Sequence, residues 1–311
     1  MKTLIKISAA LVISFGSVTL SAQQNPMFTH YMYNTSVINP AYAGSRDALT
    51  VTALHRSQWV DFDGAPRTQT LNIHTPLGNE HIGVGISMMN DRIGPTNNTS
   101  INAQFAYRMK LNQKSKLAFG LSGGIDLYQA DLNSLNIDQQ GDPAFENNLS
   151  NRTQPNFGFG AYYSRERFYA GVSVPNLIQN NYSESAPNGN VYIGEQQRHY
   201  YFIAGALFNL THSIDFKPTT LVKVTAAAPV QADLTGTFVF MDKLHLGGMY
   251  RLGDAYGALV GLSLNQLYVG YSYDKSYGLN TFRYNKGSHE IVLRYDFIFS
   301  SKKQIRTPRH F

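Results

Sequence analysis

From Ala48 onward the chain alternates between apolar and small or polar side chains, and no apolar run reaches the length a spanning helix needs. Leu117, Phe119, Leu121, Gly123, Ile125 and Leu127 form one series, and Ala118, Gly120, Ser122, Gly124 and Asp126 fill the gaps between them. Ile82, Val84, Ile86 and Met88 alternate with Gly83, Gly85 and Ser87. Ile291, Leu293, Tyr295, Phe297 and Phe299 alternate with Glu290, Arg294 and Asp296. A period of two is that of a strand with two unlike faces, and helical spacings of three and four do not persist.

Runs of this kind predict fourteen strands, near Ala48–Trp59, Arg67–Thr75, His81–Asn90, Thr96–Leu111, Ser115–Tyr128, Gln154–Ser164, Arg167–Val174, His199–Asn209, Ile214–Ala228, Gln231–Met241, Leu244–Arg251, Ala255–Leu264, Leu267–Tyr273 and Ser288–Phe299. Their connections sort by parity. The even ones are tight: Pro76–Glu80, Asn112–Lys114, Arg165–Glu166, Leu210–Ser213, Asp242–Lys243 and Asn265–Gln266. The long ones, Gln129–Thr153, Pro175–Arg198 and Asp274–Gly287, are all odd. A soluble sandwich has no reason to sort its loops this way, whereas an up-and-down membrane barrel has short periplasmic turns and long outer loops. The expected fold is all-β: a transmembrane antiparallel barrel of about 14 strands.

The N-terminal residues fit export. Lys2 and Lys6 precede a short apolar stretch holding Leu11, Val12, Ile13 and Phe15, and Ser21 and Ala22 supply small residues before Gln23. The expected division is a signal peptide at 1–22, an extended arm at 23–47, the barrel at 48–299 and a basic tail at 300–311. Charged residues make up 15% of the chain and aromatics 13%, with 20 Tyr and 18 Phe. That balance suits strands of which only alternate residues face lipid. Tyr128, Tyr162, Tyr163, Tyr200, Tyr201, Tyr271 and Tyr273, near strand ends, are expected in the interfacial girdles. There are no cysteines, which excludes disulfides and thiolate metal sites. The formal charge of +6 comes without a basic block interleaved with aromatics, so nucleic acid is not an expected partner.

No catalytic constellation emerges, and the chain is not read as an enzyme. The nine histidines lack metal-site spacing. Asp61-Phe62-Asp63-Gly64 begins like a calcium loop, but no acidic residue follows at the required distance, so it reads as a turn. Gly83-Val84-Gly85 precedes no helix and is not a phosphate loop. No nucleophile elbow marks a serine. No cofactor or metal is expected.

Two segments lie outside the alternation. Gln23–Asp47 is rich in Asn, Tyr and Met, and its lack of period predicts an ordered arm inside the lumen or under the periplasmic rim. Ser300–Phe311 carries Lys302, Lys303, Arg306 and Arg309. In the arm stand Gln24-Asn25-Pro26-Met27-Phe28, His30-Tyr31-Met32-Tyr33-Asn34 and Ile38-Asn39-Pro40-Ala41-Tyr42-Ala43-Gly44-Ser45-Arg46. Arg56-Ser57-Gln58-Trp59, Asp61-Phe62-Asp63-Gly64-Ala65-Pro66 and Asn90-Asp91-Arg92-Ile93-Gly94-Pro95-Thr96 follow. Asp142-Pro143-Ala144-Phe145, Pro155-Asn156-Phe157-Gly158 and Phe168-Tyr169-Ala170-Gly171-Val172-Ser173-Val174-Pro175-Asn176-Leu177 complete the series. Together these motifs resemble the PorP/SprF family over essentially the whole mature chain.

The resemblance implies a multi-pass outer-membrane protein of the type IX secretion system, in bacteria that couple this export route to gliding motility. It implies action with other secretion components and with a secreted protein bearing a type IX C-terminal domain, such as a gliding adhesin. It carries no catalytic residues. Asn39, Pro40 and Tyr42 in the arm, and Trp59, Asp61 and Asp63 in the first loop, are the candidate partner contacts. The long polar loops Gln129–Thr153 and Pro175–Arg198 suit recognition. The competing function is a diffusion pore. Against it stand a lumen face rich in Gly, Ala and Ser with few charges, where a porin carries constriction charges, and an arm placed to plug the lumen. An outer-membrane hydrolase is the third class, and no motif supports it.

Overall fold

In the computed structural model, residues 25–78, 80–134, 149–186, 189–226, 228–277 and 285–298 are described. The expected signal peptide, the tail Ser300–Phe311 and most of Gln129–Thr153 fall outside them. The described residues form a closed antiparallel barrel of fourteen strands. These are β1 (Leu49–Ser57), β2 (Arg67–Pro76), β3 (Ile82–Ile93), β4 (Thr96–Lys110), β5 (Ser115–Ala130), β6 (Leu149–Arg165) and β7 (Phe168–Val174). They continue as β8 (His199–Ala206), β9 (Ile214–Thr225), β10 (Gln231–Phe240), β11 (Leu244–Arg251), β12 (Ala255–Leu264), β13 (Leu267–Ser276) and β14 (Ser288–Phe297). Each pairs with its chain neighbours, and β1 closes on β14 from Leu49↔Phe297 to Ser57↔His289. All fourteen expected strands are present.

The departures from the expected boundaries have local causes. The third connection is a tight turn at Gly94 and Pro95, so β3 runs to Ile93 where the composition suggested a stop at Asn90. The eighth strand breaks after Ala206, and only Phe208–Asn209 resumes pairing with β9. Opposite the break stands Pro218, which has no N–H to give. The Leu207 N–H turns away to the Arg167 carbonyl at 2.9 Å. Within Pro175–Arg198, a two-stranded hairpin (Asn181–Ala186 and Gly189–Glu195) forms a separate small sheet.

The barrel is polar inside and apolar outside. On β2, Thr68, Thr70, Asn72 and His74 are buried while Leu71 and Ile73 are exposed. On β5, Ala118 and Asp126 are buried while Phe119, Leu121 and Ile125 are exposed. Such a band of outward Phe, Leu and Ile belongs against lipid chains. Tyr163, Tyr200, Tyr271 and Tyr273 lie on the outward side. The expected girdle positions of Tyr128, Tyr162 and Tyr201 are corrected by the structure: all three are buried inward. Adjacent residues of a strand point to opposite faces, so Tyr162-Tyr163 and Tyr200-Tyr201 must each divide between lumen and lipid.

Inside the wall lies the arm. Residues 28–44 are almost entirely buried, and most of the apolar core consists of arm side chains with the inward tyrosines. A short helix, α1 (Thr35–Ile38), and a single 3₁₀ turn (Pro40–Tyr42) are its only regular structure. No described helix is long and apolar enough to cross a membrane.

Candidate functional site

The lumen is a site built by the arm against two kinds of wall. On one side, Asn39-Pro40-Ala41-Tyr42-Ala43-Gly44 lies on inward glycines. A β-carbon at Gly83 (β3) would overlap the Ala43 carbonyl, one at Gly120 (β5) the Ala41 backbone, and one at Gly160 (β6) the Asn39 side chain. Gly44 itself has φ +73°, and a β-carbon there would sit 2.8 Å from the Gly83 Cα, so both conformation and space demand glycine. Asn39 caps the turn: its Oδ1 accepts from the Ala41 N–H at 3.0 Å, and Pro40 takes the first position, where no N–H is needed. Its Nδ2 donates to the Ala161 and Val172 carbonyls of β6 and β7. Tyr42 meets Tyr162 and His74 edge-on, at 5.4 and 5.3 Å between centroids.

On the other side the arm meets charge. Arg56 of β1 forks onto Asp274 of β13, with Nη1–Oδ2 at 2.6 Å and Nη2–Oδ1 at 3.0 Å, and also reaches Glu290 of β14 at 3.3 Å. The arm completes this cluster. The Thr29 and His30 backbone N–H groups donate to the two Glu290 oxygens at 2.9 and 2.6 Å, and the Thr29 hydroxyl donates to Asp274. The His30 ring lies 2.9 Å from Glu290. Lower down, Tyr33 stacks on Tyr268 at 4.2 Å under the Arg294 guanidinium. Arg46 pairs bidentately with Asp296, and Asp47 pairs with Arg108 and Lys116. Elsewhere Asn34 accepts from Thr70 and Asn72, Ser36 and Gln104 exchange two bonds, and the Tyr31 hydroxyl meets Thr219 and Thr235.

The expectation of few lumen charges is thereby corrected. Arg56, Arg108, Lys217, Lys223, Asp233, Arg251, Asp274, Glu290 and Arg294 are all buried and inward. The alternation conceals them because, read strand by strand, each is one residue among Gly, Ser and Thr. Some pair across one hairpin, as Asp233 and Arg251 do, and others meet only by closure, as Arg56 and Asp274 do. Single residues bury charge at low cost only when paired and hydrogen-bonded, and much of the pairing here comes from the arm. Two recesses flanking Phe28 have volumes of about 40 and 20 Å³, room for a water or two. A wider polar recess of about 400 Å³ opens at the tight-turn end, beside Asn209, Asp215 and Met241.

The six candidate contact residues fall into two separate groups. Asn39, Pro40 and Tyr42 are buried in the lumen. Trp59, Asp61 and Asp63 lie in the first loop at the opposite, long-loop rim. That loop holds two non-glycine residues in the left-handed region, Trp59 (φ 50°) and Asp61 (φ 69°), conformations that persist only when neighbours impose them. The neighbours are visible. The Val60 N–H donates to the Gly287 carbonyl at 2.8 Å and Val60 accepts from Lys286, while the Trp59 indole N–H donates to Ser276 at 3.3 Å. From the other flank, Gly94 N–H donates to the Gly64 carbonyl. The result is a clamped, exposed platform on which Phe62 packs edge-on to Trp59 and Asp61 pairs with Lys286 at 2.6 Å. Asp61 raises the Lys286 pKa by hydrogen bond and charge. Asp61-Phe62-Asp63-Gly64 is a turn, and no group of metal-ligating side chains occurs among the described residues.

The model for the family described as type IX secretion system membrane protein PorP/SprF matches residues 20–295. No curated protein matches the chain. Among solved structures, the chain is similar to the CymD monoaromatic hydrocarbon channel, with TM-score 0.51 and 10% identity over 85% of this chain and 93% of that one. It is also similar to a Pseudomonas aeruginosa FadL homologue, with TM-score 0.49 and 14% identity over 92% and 98%. At 10% identity the first likeness concerns the barrel fold alone.

Proposed function

We propose, from the premise that the chain belongs to the PorP/SprF family of type IX secretion system membrane proteins, that its long-loop end docks a secreted protein and holds it during export or at the surface. The barrel is an outer-membrane barrel, and family membership implies association with components of that secretion system. The secreted partner in this reading carries a type IX C-terminal domain, as a gliding adhesin would. One observation carries the choice between docking and diffusion: the lumen is occupied by the chain's own arm, hydrogen-bonded to β2, β4, β6, β7, β9, β10, β13 and β14. A barrel so filled offers solutes no wide path, so its working surface is the rim. There the platform of Trp59, Asp61, Phe62 and Asp63 stands ready-formed. Asn39, Pro40 and Tyr42 act differently, by seating the plug, and touch a partner only if the arm leaves.

The test is affinity purification of the tagged chain from detergent-solubilised outer membranes, with mass spectrometry of what accompanies it. Near-stoichiometric recovery of a large secreted protein with a type IX C-terminal domain is expected. Recovery should fall in a variant carrying Trp59→Ala and Asp63→Ala. A barrel that purifies alone and conducts ions in planar bilayers would overturn this reading in favour of a pore.

A further inference from the structure

The arm has a direction, and it leads outward. At Asp47 the chain sits at the tight-turn end, paired with Arg108 and Lys116 at the foot of β4 and β5, and β1 starts there at Leu49. Above Asp47, Arg46 pairs with Asp296, near the foot of β14, and Gly44 rests on Gly83, the second residue of β3. Going back along the chain, Asn39 lies against Gly160 and Gly171 in the body of β6 and β7. Thr29 and His30 reach Glu290 and Asp274, near the long-loop ends of β14 and β13. Asn25 is the first described residue of the arm. Its side chain donates to the Tyr201 hydroxyl at 3.4 Å and its carbonyl accepts from Lys223, residues at the long-loop ends of β8 and β9. The arm thus traverses the whole lumen and turns back at the periplasmic rim into β1.

In outer-membrane barrels the tight turns face the periplasm and the long loops face outside. We infer that Asn25 is presented at the cell-surface mouth, so that the N-terminal end of the arm is part of the outer, partner-facing rim together with the Trp59–Asp63 platform. This goes beyond the docking reading and does not depend on which partner docks.

The absence of cysteine makes the test clean. Single-cysteine variants are made at Asn25 (Asn25→Cys), at Asp63 in the outer loop (Asp63→Cys) and at Lys243 in a tight turn (Lys243→Cys). A fourth carries a Gly-Ser-Cys insertion directly before Asn25, in case a side chain at position 25 is too enclosed to react. Intact cells are treated with a membrane-impermeant maleimide, then compared with permeabilised cells and with denatured protein. The inference requires label at Asn25→Cys or the insertion on intact cells, as at Asp63→Cys, with Lys243→Cys labelled only after permeabilisation. Label at the two N-terminal positions only after permeabilisation, with Asp63→Cys still reached from outside, overturns the arm's direction. So does an N-terminal pair that reacts only after denaturation. If Asp63→Cys itself needs permeabilisation, the barrel's orientation is inverted and the inference falls with it, whereas loss of partner recovery with outside labelling intact would count against docking alone.

Discussion

On one side of the lumen β3, β5 and β6 offer the arm bare glycine; on the other, β1, β13 and β14 offer it a charge cluster that is incomplete without it. The first wall recognises the arm by shape. It lets backbone meet backbone at distances any side chain would forbid, and its charged contact with the arm, Lys116 with Asp47, stands apart at its foot. The second recognises it by polarity, because Glu290 takes two of its hydrogen bonds from the Thr29 and His30 amides. The contrast teaches that a plug can be fixed by two independent criteria, one steric and one electrostatic. The two should fail in different ways.

The largest effect is expected on the charged wall. Arg56→Met leaves Asp274 and Glu290 buried without their guanidinium, and breaking a buried pair in this way costs about 3–5 kcal/mol. Unfolding of the purified barrel in detergent, followed by heat-modifiability on gels, should show the loss. Replacing Arg56, Asp274 and Glu290 together by apolar residues of similar volume still orphans the buried Thr29 and His30 N–H groups, at about 1–3 kcal/mol each, so it should not restore the parent's stability. If it does, the arm's amides do not depend on Glu290.

The glycine wall should yield a smaller, sharply local effect. Gly120→Ala drives a methyl group into the Ala41 backbone, and forced overpacking of this kind costs about 1–3 kcal/mol. Gly123→Ala, three residues along the same strand, places its methyl at an ordinary 3.5 Å from Phe157 and should stay within about 0.5 kcal/mol of the parent. Equal effects from the two would remove the steric half of the comparison. Lower on the charged wall, Tyr33→Leu gives up the stack on Tyr268 and the contact with Arg294, worth together about 1–2 kcal/mol. The same unfolding measurement ranks it against the other two.

Much of this architecture was legible beforehand, because a barrel's alternation is local. Each strand spans several repeats of the pleat and so declares its two faces, and the inward parity of β5 follows once Leu117 and Phe119 are assigned to lipid. The charge cluster was not legible. Asp274 and Glu290 share the β13–β14 hairpin, but Arg56 stands 218 and 234 residues from them and meets them only because the barrel closes, and no local pattern encodes closure. Tyr162 and Tyr201 were misassigned for a related reason: a girdle argued from residue type ignores the parity that places one tyrosine of each pair inside. The arm was visible as a segment without period, but its direction depends on which wall residues its ends meet. The candidate contacts divided the same way. Asn39, Pro40 and Tyr42 stand in the arm and Trp59, Asp61 and Asp63 in the first loop, but only the closed barrel shows the first set buried as the seat of the plug and the second at the rim.

The smallest expected effect lies at that rim, and it separates holding the fold from presenting a surface. Asp61 and Lys286 are both well exposed, so their pair adds little to stability in water and less in salt. The sign of its pH dependence is nevertheless fixed. Because Asp61 raises the Lys286 pKa, the pair's contribution is complete below the ordinary lysine range and disappears only as alkali titrates through the raised value. Asp61→Asn should therefore leave the unfolding transition at neutral pH unchanged within error. Its effect should appear in the platform instead. Trp59 is the single tryptophan of the chain, so its emission reports on this loop without interference. Asp61 holds a left-handed conformation that asparagine also tolerates, so the backbone should survive the change while the clamp on Lys286 loosens. A shift in Trp59 emission with unaltered barrel stability would place the rim and the plug under separate control. A drop in barrel stability as large as that from Gly120→Ala would mean that the platform is structural, and that partner contact must be sought elsewhere on the rim.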